Sequence, residues 1–141
     1  MNLILPYPDK ELYPNKSKSR SYAGQSAITR RASARYRKEC APIGRAFITK
    51  NEVSLLTRLM GTTEEHRFPL RGALLVSLRF VTASKGGRLP DVDNLVAAIK
   101  SGLDGLTDAG VWADDGLIEI AGASVSRGTV AHVEVSIDEK G

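Results

Sequence analysis

The segment ALLVSLRFVTA, Ala73 to Ala83, constrains this chain more than any other. Large apolar and β-branched side chains run through it with a single charge, Arg79, and such a run finds cover only in the middle of a β-sheet. A flexible basic loop follows at Lys85, Gly86, Gly87 and Arg88. After Pro90 a helix should open, because Leu95, Ala98, Ile99, Leu103 and Leu106 fall on one stripe at helical spacing. Gly110 suits the cap that ends it. Leu117 to Ser126 and Thr129 to Ile137 alternate about Arg127-Gly128, which predicts an antiparallel hairpin.

Upstream the pattern weakens. Leu3-Ile4-Leu5 predicts a short strand stopped by Pro6 and Pro8, and residues 9 to 21 read as a loop. Tyr22 to about Cys40 lacks proline and favours helix, although its apolar face is thin. Residues 41 to 68 are hardest to read: a short strand at Phe47-Ile48 and a short helix from Glu52 to Met60 are expected, with no function assigned. At 141 residues, 42% hydrophobic and 26% charged, the chain fits one domain over 1–141. The expected fold is α/β in the α+β sense, a mixed β-sheet with two main helices. Within it, 9–40 forms a basic N-terminal loop and helix and 73–137 a carboxylate-bearing core.

No apolar run reaches the roughly 18 residues of a membrane span, and MNLILPYPDK has no cationic lead, so a cytoplasmic protein without a membrane partner is expected. Cys40 stands alone and reads as a reduced, helix-borne thiol. His66 and His132 lie far apart in the sequence and do not suggest a zinc site.

Charge is unevenly spread. Residues 1–50 carry +8 and residues 51–141 carry −4. A basic segment on a mildly acidic body points to a polyanion, nucleic acid ahead of membrane, because no large apolar face opposes the charges. The candidate phosphate contacts are Lys16, Lys18, Arg20, Arg30, Arg31, Arg35, Arg37 and Lys38, with Lys85 and Arg88 in the later loop. Cations this crowded repel one another unless an anion meets them. A solvated basic surface is the plain alternative. Tyr7, Tyr13, Tyr22 and Tyr36 are interleaved with the cations and could touch sugar or base.

The chemistry-bearing cluster is Asp91-Val92-Asp93-Asn94 at the mouth of the predicted helix, followed by Asp114-Asp115 in VWADDGL. One helix and a return could bring the two groups together or leave them apart. Together, they would repel unless a hard divalent cation sat among them, and magnesium, which favours oxygen ligands, fits that role. The structural alternative is ordinary: an aspartate N-cap for the first group and an acidic turn for the second. Val111 and Trp112 read as core plugs.

The run RLPDVDNLVAAIKSGLDGLTDAGVWADDGLIE resembles the core of the RusA-type Holliday junction resolvases, usually encoded by phages or prophages. Their pattern is DxDN, a helix ending in DALxxAGxW, then DD and a strand. LILPYPDKELYPN is similar to that family's N-terminal strand and Pro-rich loop. The resemblance implies a homodimer cleaving branched DNA, a four-way junction, by paired nicks in recombination and repair. Mg²⁺, or Mn²⁺ in its place, would be held by Asp91, Asp93 and Asp115, with Asn94 and Asp114 adjoining. The family's catalytic lysine, four residues after its second aspartate, is matched here by Ala97, and Lys100 would supply the charge instead. The alternatives are a relative that binds junctions with weakened or no turnover, and an interaction protein whose acids are only caps and turns.

Overall fold

The structure, a computed structural model, describes residues 1–13, 22–52 and 68–140. Strand β2, Leu74–Thr82, is the sheet's most apolar strand and lies inside it. With β1 (Asn2–Leu5), β3 (Ile118–Arg127) and β4 (His132–Glu139) it forms a four-stranded sheet ordered β1-β4-β2-β3. β4 runs antiparallel to β1 and β2, whereas β3 runs parallel to β2. The molecule is thus a mixed α+β domain, as expected.

The hairpin expectation fails. β3 and β4 are not partners, because β2 lies between them and pairs with both. Alternation fixes which face of a strand is buried but not which strand lies beside it, and the strand that is apolar on both sides takes the inner place. Residues 128–131 therefore connect strands on either side of β2. The Gly128 N–H donates to the Thr82 carbonyl at 2.9 Å, and a Cβ on Gly128 would come within 2.5 Å of Val81 Cγ1.

One face of the sheet is covered. Leu3, Leu5, Leu74, Val76, Leu78, Phe80, Val133, Val135 and Ile137 pack in the core with two helices, α1 (Tyr22–Asn51) and α2 (Val92–Ala109). All five residues of the expected α2 stripe are buried, Asp91 caps the start, and Gly110, at φ 89°, caps the end.

α1 departs further from expectation. It continues past Cys40 to Asn51 with Pro42 inside it, and Phe47-Ile48 is helical rather than a strand. Pro42 removes one main-chain hydrogen bond on the exposed side. The buried seam Ala32, Tyr36, Cys40 and Phe47 holds the helix regardless. Burial pushes the Cys40 thiol up to about 12. The expected helix from Glu52 lies outside the described residues beyond Glu52 itself, which is a bend.

The seam fits closely against α2. A Cβ on Gly105 would lie 2.5 Å from the Arg37 carbonyl oxygen, one on Gly102 would lie 2.6 Å from the Tyr36 ring, and one on Gly44 would lie 2.8 Å from Ala109. Residue numbers rise together along this contact, so the helices run parallel and their N-termini lie at one end of the molecule. The Tyr36 hydroxyl donates to the Pro6 carbonyl at 2.6 Å.

Candidate functional site

Position along α2 separates the acidic residues. Asp91 is spent in part on capping: one carboxylate oxygen accepts the Asp93 N–H at 3.0 Å. Asp91 and Asp93 are both exposed, and Asn94 is half-buried. An anion is favoured at this end by the free N–H groups and the helix dipole, so the carboxylates are held there without a cation.

Asp114 and Asp115 lie beyond the other end. Asp114 caps the 3-10 turn Asp115–Leu117 by accepting the Gly116 N–H at 3.1 Å. That bond, with a hydrogen bond from Asp115, lowers the Asp114 pKa. The hydrogen bond to Asp114 and its negative charge raise that of Asp115, and Asp104 of α2 adds to the rise. Asp104 stands thirteen residues along the helix from Asp91, about 20 Å at 1.5 Å per residue. β2 and β3 agree, since Leu74 pairs with Ile118 at the end of the strands opposite to the one that leads into Asp91.

The two acidic groups therefore do not meet within one chain. Among the described residues no group of three or more His, Cys, Asp and Glu side chains is gathered closely enough to hold a metal ion. His132 instead lies 3.5 Å from Glu134 on the sheet, and His66 is outside the described residues. Asp91, Asp93 and Asp115 of a single chain do not fit one magnesium ion.

Lys100 is exposed and has no ion pair among the described residues. It follows Asp93 by two helical turns on the same side, about 10 Å along the axis, with Ala97 half-buried between them. Lys100 thus stands between the acidic groups rather than beside either one.

The cations divide as well. Lys16, Lys18 and Arg20 lie outside the described residues. Arg37 forms a two-pronged bond with Asp108, one arm at 2.7 Å, which lowers the pKa of Asp108. Arg35 lies 3.3 Å from Asp9 and 3.6 Å from Glu11. A phosphate would have to compete with those acids. Arg30, Arg31 and Lys38 are exposed and without ion pairs among the described residues. The parallel packing sets Arg30 and Arg31 level with Val96 and Ala97, about one turn from Asp93. Lys85 and Arg88 are exposed on the loop that leads into Asp91. Cations and the first acidic group therefore share an end.

Tyr36 is 4% exposed and Trp112 is 1% exposed. The first is unavailable to a base, and the second is the expected plug, with its indole N–H donating to Thr107 at 2.6 Å. Tyr7 and Tyr13 pack against the core, and the Tyr22 side chain is outside the described residues. Two residues went unnoticed in the sequence. Asp104 shares the exposed side of α2 with Asp93 and Lys100, a spacing that could have revealed it. Arg127 read only as a turn residue, yet its guanidinium donates to the Gly87 carbonyl.

No protein-family model matches this chain, and no curated protein matches it either. Among the described residues no helix is long and apolar enough to cross a membrane.

Proposed function

We propose that this chain is a Mg²⁺-dependent endonuclease for branched DNA, of the RusA type, which works as a homodimer and resolves four-way junctions by paired nicks. The supporting observation is the shared end: Asp91 and Asp93 stand exposed just after the exposed Lys85 and Arg88, and the parallel packing puts Arg30 and Arg31 of α1 at that end too, where a phosphate would meet both cations and carboxylates. The motif that resembles the resolvases begins at the same place.

The separation along α2 adds a requirement. A second copy, related by a two-fold axis and reversed along α2, would bring its own Asp115 to the Asp91 and Asp93 of the first, and the reciprocal site would form by symmetry. A bound magnesium would supply positive charge to the phosphate and a water of lowered pKa. Asp91, Asp93 and Asp115 of two chains would hold it, the basic α1 and loop would orient the strand, and Lys100 would add charge near the phosphate. Two equivalent sites suit a junction of approximate two-fold symmetry.

The test is nicking of a synthetic four-way junction by the purified chain, with and without Mg²⁺. Nicking only with the ion is expected. Junction binding without any nicking would favour the relative lacking turnover, for which Ala97 is the specific observation. Neither binding nor nicking would reduce the acids to caps and turns.

A further inference from the structure

The loop from Ala83 to Leu89 is exposed throughout, so burial does not hold its shape. Three features do. The Ser84 hydroxyl donates to the Gly86 carbonyl at 2.8 Å. Gly87 takes φ 79°, which side chains rarely adopt. Arg127, at the end of β3, donates from its guanidinium to the Gly87 carbonyl. That donation crosses between the two arms flanking α2, whereas the loop's other side-chain hydrogen bond to a strand, from the Ser84 N–H to the Thr82 hydroxyl at 3.4 Å, stays within the arm of β2. Gly128, the next residue, is fixed on Thr82 and Val81, which anchors the backbone behind Arg127.

Arg127 has no carboxylate partner among the described residues. Its bond is to a main-chain carbonyl, so its strength lies in holding that carbonyl and not in neutralising charge. Lys85 and Arg88 flank Gly87 in the sequence, and Asp91, the cap of α2, follows Arg88 by three residues.

We infer that Arg127 is a positioning residue: it pins the Lys85–Arg88 loop to the end of β3 so that both cations face the same phosphates beside Asp91. The consequence for DNA rests on the endonuclease reading, whereas the pinning does not. A donor at position 127 is what the pin needs, and charge there is secondary. Glutamine keeps a donor without the charge, and alanine keeps neither.

The experiment compares wild type, Arg127→Gln and Arg127→Ala in two measurements. In the free protein, trypsin cleavage after Lys85 and Arg88 should be roughly fivefold faster in Arg127→Ala, the factor expected for one lost hydrogen bond, and close to wild type in Arg127→Gln. Equal cleavage in all three proteins would overturn the pin whether or not the chain binds DNA. In salt titrations on a four-way junction, Arg127→Ala should lower the slope of log affinity against log salt by about two, one for each cation set loose, although it removes one charge. Arg127→Gln should leave the slope unchanged. A fall of about one in both variants would overturn the inference by making Arg127 a phosphate contact itself. If the wild type binds no junction, the endonuclease reading fails and the trypsin comparison alone decides the pin.

Discussion

The two ends of α2 carry the same residue type in opposite settings. At the first end, Asp91 and Asp93 are supported by free N–H groups, and the exposed Lys85, Arg88, Arg30 and Arg31, without ion pairs among the described residues, lie at the same end of the molecule. At the other, Asp104, Asp108, Asp114 and Asp115 gather near the negative pole of the helix, with no basic residue in its last turn, and Arg37 is the one described cation bonded to any of them. On the proposed function, the first end is where a phosphate would bind. At the second, Asp114 and Asp115 have no ion pair among the described residues, and a partner's cationic end or a metal ion would relieve their mutual repulsion. Complementary halves on one chain are what a two-fold dimer needs in order to close two equal sites.

The largest effects should come from breaking one half at a time. Asp93→Asn and Asp115→Asn should each reduce junction cleavage on the order of a hundredfold or more, because each removes a carboxylate from both sites of a dimer. Mixing the two inactive variants and allowing subunits to exchange should restore about a quarter of the wild-type sites, since half of the dimers are mixed and each has one intact site. The product should be singly nicked junctions. No recovery after exchange would mean that the two ends do not cooperate across copies.

Magnesium should act next. Bound at about a hundred times its dissociation constant, an ion that needs the folded dimer stabilises by about 2.7 kcal/mol, or roughly 10 °C for a chain of this size. The rise in Tm should grow with protein concentration. Asp91→Asn, which keeps a good N-cap, should abolish it, and so should Asp115→Asn. A shift that persists in either variant, or that ignores concentration, would place the ion elsewhere.

Legibility followed the same division. α2 could be read end to end because its apolar stripe, Asp91 cap and Gly110 all act locally, within one helix. β2 was legible as the inner strand for the same reason: its own composition demands two neighbours. The identity of those neighbours was not, because the place of β3 beside β2 depends on α2 carrying the chain back along the sheet. α1 was half legible, since its buried seam of Ala32, Tyr36, Cys40 and Phe47 has little apolar surface of its own and relies on Gly102 and Gly105 to let it approach. The separation of the acidic groups is a matter of helix direction, and spacing in the sequence does not encode direction.

Smaller effects should distinguish the free cations from the paired ones. Replacing Arg31 and Lys38 with alanine should reduce the salt slope of junction binding by about 1.8, or about tenfold in affinity between the ends of a fourfold salt range. Replacing Arg35 and Arg37 should change it less, because Asp9, Glu11 and Asp108 already compete for them. Equal losses from both pairs would show that the ion pairs yield to DNA.

The smallest effect lies within the Asp114–Asp115 pair and concerns pH. Asp115 has its pKa raised above the ordinary 3.8, chiefly by the hydrogen bond to Asp114 and by that neighbour's charge, whereas Asp114 is lowered by the Gly116 N–H. A raised carboxyl favours the folded state while it is protonated, and that contribution is lost as pH rises through its folded pKa. A lowered one does the reverse, with its contribution present above 3.8 and lost as pH falls. The two therefore oppose each other in the same acidic window, and both side chains are exposed, so the net change in stability should be close to nil. The titration itself should still be visible. In a carboxyl-carbon NMR titration without metal, the pair should take up protons in two steps on either side of 3.8. Asp114→Asn should bring Asp115 back down towards the ordinary value, because both its hydrogen bond to a carboxylate and the adjacent charge are gone. If Asp115 stays raised in that variant, Asp104 and the helix terminus govern it, and the acidic end of α2 extends further into the helix than the turn at 114–117.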